Sequence, residues 1–491
     1  MNYRIIFKLL SVIMSTLAIA FLVSAEVGQI FFPSELETQI QEEWWLSIGI
    51  AGLLAVLFRV FGRNASPKIF RKEGLATIGL GWIVASLVGA LPYVLILRDC
   101  TVGDAIFEST SGLTTTGASV FTNLESFPHS LMFWRCLSQW IGGLGVVVFF
   151  VAILSFLGAG AKILYSNEAS AHSTDIESGR IQKGVIHIGI LYLALSAICA
   201  LVFRACGMDW FDAICHMFTT ISTGGFSTYS GSIAAFQNPL IEWMIILFMI
   251  IGGTTFFYII GIISKQRLKA CSNTEVNIYF AMLIITTLVL TVILYWRMNL
   301  YDLDDAFRTS AFQVVSIMTT TGYMTADYDA WLPVTHTLLL GLMIIGGCSG
   351  STSGGLKVVR VAIGVKVCLH QIEHAFRSRV VRPMMFNGRV IDVEDRNNVV
   401  NYLLLMGFIG VCSLPIISLA EVGLSFEGAI AAMFACLFNI GPGFHEVGPT
   451  LNFGFMAPFT KIFLSLLMIM GRLELYAVLV LFAPSLWKRF S

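Results

Sequence analysis

The sequence predicts an all-α polytopic membrane protein with ten transmembrane helices. Of its 491 residues, 56% are hydrophobic and only 12% are charged, and the mean hydropathy is +0.81. These values lie outside the range of soluble globular domains. Ten apolar runs are long enough to cross the ~30 Å hydrocarbon core as helices. The runs lie near residues 7–32, 44–61, 75–97, 130–158, 185–203, 240–263, 277–296, 334–369, 399–419 and 457–484.

The distribution of charged residues predicts that both chain termini lie on the cytoplasmic side. Lys and Arg are concentrated in every second loop, and Asp and Glu occupy the loops between. Because cytoplasmic loops of membrane proteins are rich in Lys and Arg, the basic loops are predicted to be cytoplasmic. The first run is too long for a signal-peptide core and is therefore predicted to be a span. The basic loops and tail contain Arg63, Lys68, Arg71, Lys72, Lys162, Arg180, Lys183, Lys265, Arg267, Lys269, Arg377, Arg379, Arg382, Arg389, Arg396, Lys488 and Arg489, and the acidic loops contain Glu35, Glu37, Glu42, Glu43, Asp302, Asp304, Asp305, Asp327 and Asp329.

A fourfold internal repeat follows the first two runs. Each unit is a span, a short apolar stretch, a loop and a second span. The short stretches lie near 104–114, 211–221, 306–319 and 427–438. They cover about half of the hydrocarbon core, so they are predicted to be half-helices that enter from outside and turn back. The chain thus divides into residues 1–73 with two extra N-terminal helices and the pseudo-symmetric units 74–170, 171–272, 273–397 and 398–491.

The second span of each unit contains a pair of residues with at least one glycine at a similar position, called here the small-residue marks. Glycine in a membrane helix allows close packing, which explains one such mark but not four in register. The marks are Gly142-Gly143, Gly252-Gly253, Gly346-Gly347 and Gly471-Arg472.

The loops that follow the short stretches predict a cation filter around one axial pore. Non-helical backbone at membrane depth is tolerated only where it is buried in protein or lines a water-filled path. Four equivalent loops can surround one axis, and their carbonyl oxygens can then replace the hydration shell of a cation. The C-terminal dipole ends of the half-helices favour a cation as well. The candidate filter residues are Thr115, Thr116 and Gly117, then Ser222, Thr223 and Gly224, then Thr320, Thr321 and Gly322, and finally Asn439, Ile440 and Gly441.

These four units, the glycine in each loop and the two extra N-terminal spans resemble the Trk/Ktr/HKT superfamily of potassium transporters over essentially the whole chain. The extra spans favour its bacterial TrkH branch. The resemblance implies potassium uptake across the bacterial inner membrane, and a homodimer whose cytoplasmic face binds a nucleotide-binding regulatory subunit resembling TrkA. It implies no cofactor in this chain and no nucleic-acid partner, only lipid and a potassium ion in the filter.

The resemblance also implies which loop residues select the ion. The family's filter glycines correspond to Gly117, Gly224, Gly322 and Gly441. Family members with serine in the first loop tend to accept sodium, so Gly117 implies a preference for potassium. The fourth loop has Asn439 and Ile440 before its glycine, so threonine hydroxyls cannot form a symmetric ring. Carbonyl oxygens must therefore provide most of the coordination.

The stretch 346–355 interrupts the run near 334–369. Its Gly and Ser residues do not favour a straight helix. It does not match a phosphate-binding loop, because Lys357 does not directly follow the last glycine. A packing kink is one interpretation; the other, which the resemblance also implies, is a mobile intramembrane loop that closes the pore beneath the filter. The candidate gate residues are Gly346, Gly347, Ser349, Gly350, Ser351, Gly354 and Gly355.

Arg472 lies in the middle of the last apolar run. A charge at this depth costs at least ~2.5 kcal/mol on insertion scales, so it normally faces a cavity or a partner. Two hypotheses remain: a fixed positive charge near the inner pore that limits cation occupancy, or a structural salt bridge. Glu474 is expected to point to a different face.

An enzyme is not predicted. The sequence His370-Gln371-Ile372-Glu373-His374 matches a zinc-protease pattern, but it begins a basic linker without further ligands. The linker 371–398 is too short for a nucleotide-binding domain, so nucleotide control must come from another chain. The alternative function is a sodium- or proton-coupled secondary carrier. Carriers of that type often have inverted halves, whereas the four units here are parallel.

Overall fold

The computed structural model describes residues 1–65, 70–157, 178–263, 273–377 and 383–487, without the side chains of Arg71, 147–157 and 178–185. Several basic residues that predict the orientation lie outside this part of the chain, so the orientation stays a prediction. They are Lys68, Lys162, Lys265, Arg267, Lys269, Arg379, Arg382, Lys488 and Arg489, together with the side chains of Arg71, Arg180 and Lys183.

The described residues are mostly helical, which confirms the predicted all-α membrane fold. A two-residue hairpin, Met385–Phe386 with Arg389–Val390, is the β-structure within the described ranges. The helices in chain order are Tyr3–Phe31, Glu35–Gln39, Gln41–Phe61, Arg71–Gly89, Leu91–Ile96, Val102–Leu113, His129–Leu157, Ser178–Ala205, Trp210–Ile221, Pro239–Gly253, Phe256–Ile263, Thr274–Val292, Leu303–Met318, Pro333–Ile345, Val358–Phe376, Val393–Ala420, Phe426–Leu437, Pro458–Arg472, Tyr476–Leu479 and Pro484–Trp487. Short 3₁₀ turns lie at Leu124–Ser126, Ser232–Phe236, Tyr328–Ala330, His445–Val447 and Val480–Phe482, and a π turn at Ile293–Arg297.

Six helices in the described ranges are long and apolar enough to cross a membrane, or up to eight if each of two bent pairs is one span. The count of ten stays a prediction. The six are Tyr3–Phe31, Gln41–Phe61, Lys72–Ile96, Ile186–Ala205, Thr274–Arg297 and Val393–Ala420, and the bent pairs are Pro239–Gly253 with Phe256–Ile263 and Pro458–Arg472 with Tyr476–Phe482.

Four short helices lie where the half-helices are predicted. They are Val102–Leu113, Trp210–Ile221, Leu303–Met318 and Phe426–Leu437, with 12, 12, 16 and 12 residues. At 1.5 Å per residue they are roughly 18–24 Å long, too short to cross the hydrocarbon core. Each begins after a Thr, Asp or Ser, the residues that favour helix N-termini. Thr101, for example, forms a reciprocal capping box with Asp104.

The small-residue marks lie against the ends of the half-helices. A Cβ atom built on Gly142 would overlap the carbonyl oxygen of Leu113, and one on Gly471 would overlap that of Leu437. A Cβ on Gly252 would lie 3.3 Å from the carbonyl oxygen of Ile221. In these three units, glycine therefore allows the second span to touch the last residue of the half-helix.

The second spans differ in continuity. The first, His129–Leu157, is one helix, whereas the second bends by 99° after Gly253 and the fourth by 117° after Arg472. The runs near 240–263 and 457–484, each predicted to be one helical span, are therefore each broken into two helices. In the fourth unit, Glu474 and Leu475 have φ angles of 57° and 63°, which end a right-handed helix. The third span is interrupted over the residues between Ile345 and Val358.

Candidate functional site

All four half-helices end with the same hydrogen-bond pattern. In the first, the amide of Thr115 donates to the carbonyl of Gly112 and the amide of Thr116 donates to that of Ser111, at 3.0 and 2.9 Å. This pair of bonds is a Schellman motif, which needs a left-handed residue just beyond the helix. The left-handed residues are Thr115, Thr223, Thr320 and Asn439, with φ angles of 52–56°.

This common geometry sets the register of the four loops. Each left-handed residue is followed two positions later by a glycine with positive φ: Gly117, Gly225, Gly322 and Gly441. In the second loop the equivalent glycine is therefore Gly225, one residue after the predicted Gly224, because Gly225 has the backbone conformation of the glycines in the other three loops. Gly224 corresponds instead to Thr116, Thr321 and Ile440, whose amides make the same bond back into the half-helix.

The four loops form a closed ring, because each of these glycines lies against a carbonyl of the next loop. A Cβ atom built on Gly117 would overlap the carbonyl oxygen of Gly224. The same overlap joins Gly225 to Thr321 and Gly322 to Ile440. A Cβ on Gly441 would lie 2.9 Å from the carbonyl oxygen of Thr116, which returns to the first loop.

The ring opens on one side into a cavity of about 250 Å³. All four positive-φ glycines line it, as do residues of the loops that follow them. In the described ranges, the carbonyl oxygens of Thr116, Thr321 and Ile440 accept no hydrogen bond from protein groups. Unpaired carbonyl oxygens at membrane depth are the groups with which proteins replace the water around a dehydrated cation.

The loop hydroxyl groups largely bond within and between the loops. Thr116 and Thr321 each bond the hydroxyl two residues earlier, at 2.7 and 2.8 Å. The side-chain amide of Asn439 donates to the Thr116 hydroxyl and to the Met468 carbonyl, both at 2.9 Å. Asn439 thus links the fourth loop to the first, and these hydroxyls serve the loop structure.

Gln139 clamps the second loop and was not predicted from the sequence. Its Nε2 donates to the Gly224 carbonyl at 2.7 Å, and its Oε1 accepts from the Phe226 amide at 3.1 Å. A Cβ on Gly224 would overlap the same Gln139 side chain. This contact explains why the second loop has a glycine where the other loops have threonine or isoleucine.

A buried ion pair supports the first two loops from behind. Glu108 of the first half-helix and Arg135 of the following span are 2.6 Å apart and 0% and 2% exposed. Glu108 also accepts from the amide of Val120, and Arg135 donates to the carbonyl of Ser227. Sequence reasoning missed this pair, although a charge inside an apolar run is a signal that could have found Arg135.

The predicted gate residues lie in one largely buried loop, and none of them lines the cavity beside the ring. The Gly354 amide donates to the hydroxyl of Thr320 at 2.6 Å, and the Gly355 amide donates to the carbonyl of Phe438 at 3.0 Å. The hydroxyl of Thr352 is 3.0 Å from the carbonyl oxygen of Ile221. The loop therefore contacts the ends of three half-helices.

Three further hydrogen bonds hold the same loop. Glu275 accepts a 2.6 Å hydrogen bond from the Ser349 amide, and Cys348 donates its amide to the carbonyl of Gly253 at the bend of the second unit. The Lys357 ammonium donates to the carbonyl of Ser353. A kink made only for packing would not need this many specific partners.

Arg472 is buried beside this loop. Its guanidinium donates to the Thr352 carbonyl at 2.7 Å, and its Nε and Nη2 have no hydrogen-bond partner among the described residues. The salt-bridge hypothesis is not supported there, since Glu474 pairs with Arg360 at 2.6 Å instead. The positive charge of Arg472 thus lies at the loop.

The zinc-protease pattern does not form a metal site. His370 and His374 have ring centroids 6.3 Å apart on the helix Val358–Phe376. In the part of the chain that the structure describes, no three His, Cys, Asp or Glu residues form a group that could hold a metal ion.

Apolar spans around four half-helices whose ends meet in one ring define a helical membrane transport protein rather than an enzyme. A sequence model of the TrkH family, described as "Cation transport protein", matches residues 50–489. The chain belongs to the TrkH family, which confirms the resemblance found in the sequence.

Named relatives agree with this assignment. The Trk system potassium uptake protein TrkH of Escherichia coli strain K12 is 35% identical over 438 residues, 87% of this chain and 88% of that one. The corresponding TrkG protein of the same strain is 32% identical over 428 residues, 87% of each chain. The crystal structure of the potassium transporter TrkH from Vibrio parahaemolyticus matches with a TM-score of 0.90 and 28% identity, over 99% of this chain and 100% of that chain.

Proposed function

We propose that this protein takes up potassium across the bacterial inner membrane through one axial pore. The filter is the ring of four loops, each contributing the residues predicted above, with Gly225 in place of Gly224 as the second positive-φ glycine. The observation that carries the proposal is the closed ring of carbonyl oxygens against glycines, open to a cavity on one side. Potassium is the transported ion, and the chain needs no cofactor of its own.

The intramembrane loop is the proposed gate. It includes Gly346, Gly347, Ser349, Gly350, Ser351, Gly354 and Gly355. It lies directly against the ends of three half-helices, so an ion leaving the filter would meet it first. Arg472 adds a positive charge at the loop and would repel a cation there. Opening then requires the loop to leave its present contacts.

The partners and the orientation belong to the same proposal. The protein acts as a homodimer with both termini in the cytoplasm, and a separate nucleotide-binding subunit resembling TrkA moves the loop from that side. The support is the family membership and the basic residues of the inner loops. The proposed units are residues 74–170, 171–272, 273–397 and 398–491, each contributing one quadrant, with 1–73 as an addition.

The decisive experiment measures ion flux into liposomes that contain the purified protein. We expect uptake of potassium and rubidium to exceed uptake of sodium and lithium, because a carbonyl ring discriminates by ion size and field strength. Equal uptake of potassium and sodium would contradict the proposed selectivity. A coupled carrier would instead need a sodium or proton gradient for potassium accumulation, so the same liposomes without such gradients test the alternative.

A single variant tests the filter itself. In Gly117→Ser we expect weaker discrimination against sodium, since the new side chain meets the Gly224 carbonyl and disturbs one quadrant of the ring. The measurement is the ratio of potassium to sodium flux, with Gly145→Ser as the control. A Cβ at Gly145 would have only one neighbour within 4 Å, at 3.7 Å. An unchanged ratio in Gly117→Ser would exclude this loop from the filter.

A further inference from the structure

A second cavity lies far from the filter, between the ends of the two N-terminal helices. It has a volume of about 410 Å³ and is lined by Lys8, Arg59, Val60, Gly62, Arg63, Asn64 and Ala65. Lys8 belongs to the helix Tyr3–Phe31, and Arg59 lies in the last turn of the helix Gln41–Phe61. Three cationic side chains from two helices thus surround one cavity.

Close backbone packing holds these cations together. A Cβ atom built on Gly62 would lie 2.6 Å from the backbone nitrogen of Lys8 and 2.8 Å from its Cα atom. The second helix therefore ends directly on the first helix at the position of Lys8. A larger residue at Gly62 would separate the helices and widen the cavity.

Among the residues that the structure describes, no acidic side chain forms an ion pair with the cations of this cavity, Lys8, Arg59 and Arg63. The carboxylate of Glu73, on the helix Arg71–Gly89, does not line the cavity and accepts from the backbone amide of Asn2 at 2.9 Å. Three neighbouring positive charges without a partner favour an anion, because they repel one another.

The cavity adjoins a surface suited to acyl chains. Val60 lines it and is 62% exposed, and the neighbouring Phe61 is 61% exposed. Phe7 packs against Phe58 and Phe61 with ring centroids 5.8 and 5.7 Å apart, which forms an aromatic surface between the two helices. Both helices are apolar spans, so these rings lie where a span leaves the hydrocarbon core.

We propose that this cavity binds the phosphate headgroup of an anionic phospholipid in the cytoplasmic leaflet. Lys8, Arg59 and Arg63 would contact the phosphate, the Asn64 side chain would supply a hydrogen bond, and the acyl chains would lie along Phe61 and Val60. Basic pockets between helices at this side of a membrane are suited to such headgroups. The inference rests on the proposed orientation but not on potassium transport.

The test measures the melting temperature of the purified full-length protein in neutral detergent as phosphatidylglycerol is added. We expect the lipid to raise the melting temperature, with phosphatidylcholine having no comparable effect. In Arg59→Gln/Arg63→Gln the half-effective lipid concentration should rise about 30-fold, since each lost surface charge weakens such binding by about a factor of five. Lys8→Gln should give a smaller shift of the same sign.

Two controls make the result decisive. Arg377→Gln removes one exposed positive charge from the same side of the membrane outside the cavity, and should leave the lipid response unchanged. A full response in the double variant, or an equal loss in Arg377→Gln, would overturn the proposal in favour of general attraction to an anionic surface. A third arm adds inorganic phosphate instead of lipid. If phosphate raises the melting temperature of the wild type but not of the double variant, the cavity is a site for a free anion and not for a lipid headgroup.

Discussion

The ring of four loops, which is the proposed filter, and the intramembrane loop are both irregular backbone between apolar helices, but they are held in different ways. Each filter loop closes on its own half-helix through two backbone hydrogen bonds, and it contacts the next loop through a glycine. The intramembrane loop is also closed at its base, where the amides of Leu356, Lys357 and Val358 donate to the carbonyls of Ile344, Ile345 and Gly347, but the rest of the loop is held by groups of several separate elements. It depends on Glu275, Thr320, Phe438, Gly253 and Arg472 from elsewhere in the chain.

This difference has a physical consequence. Four loops with the same internal closure and mutual contacts resist displacement, because moving one of them breaks contacts on both sides. A loop held by separate groups can be released when any of those groups moves. Damage to the ring should therefore lower stability or stop flux, whereas damage to the loop's contacts should raise flux and leave the fold intact.

The largest effect is expected from Arg135→Ala behind the ring. Removal of one partner leaves Glu108 buried with an uncompensated charge, which costs about 3–5 kcal/mol in the free energy of unfolding. The melting temperature in detergent checks this. Arg308→Ala breaks the more exposed pair with Glu242 and should cost only about 0–1 kcal/mol. Similar losses in the two variants would contradict the special position of the Glu108 pair.

The next largest effect is a difference in potassium flux between alanine variants of the two glycines in the second loop. In Gly225→Ala the new Cβ overlaps the Thr321 carbonyl, and alanine is strained at a φ of 81°. We expect potassium flux to fall more than about tenfold, since such strain costs about 1–2 kcal/mol before any overlap. Gly224→Ala overlaps the end of the Gln139 side chain rather than backbone, and it has no positive φ to strain, so its effect should be milder. If Gly224→Ala were the more damaging change, Gly225 would not be the residue equivalent to Gly117 in this loop.

A smaller effect, a rise in flux rather than a fall, is expected from a change at the intramembrane loop. Arg472→Met removes the charged hydrogen bond to Thr352, a type of bond worth about 1.5–3 kcal/mol. Basal potassium flux without a regulatory subunit should rise about tenfold, with an unchanged melting temperature. Arg472→Lys keeps the charge and distinguishes repulsion of cations from the bond itself. Flux at or below the wild-type value in Arg472→Met would reject Arg472 as part of the closed gate.

The smallest effect is expected from Glu275→Gln. The glutamine side chain retains an oxygen that can accept from the backbone amide of Ser349. It has no charge, so this hydrogen bond becomes about half as strong. Basal flux should rise about threefold in the same liposome assay. Glu373→Gln, on the helix Val358–Phe376, is the control with the same loss of charge, because the Glu373 carboxylate pairs with Arg377 and not with the loop. Equal flux in both variants would remove Glu275 from the set of groups that hold the loop.

Local sequence was sufficient for much of this architecture. The half-helices were predictable because an apolar stretch of 12–16 residues is too short for a span, and the loops were predictable because Thr, Asn and Gly end helices. Local pattern failed where it was ambiguous or distant. The second loop has two adjacent glycines, and the prediction chose Gly224, whereas Gly225 has the backbone conformation of Gly117. Neither Gln139 nor the Glu108–Arg135 pair is visible without knowing which helices meet.

The sequence alone determined the membrane class, the four short helices and three of the four positive-φ glycines, because length, polarity and turn chemistry are local properties. Only the tertiary structure decided that Gly225 takes the place equivalent to Gly117, that the spans after Gly253 and Arg472 bend, and that Arg472 lies on the intramembrane loop. These features depend on contacts between residues tens to hundreds of positions apart. Such contacts form only when the four units close around one axis.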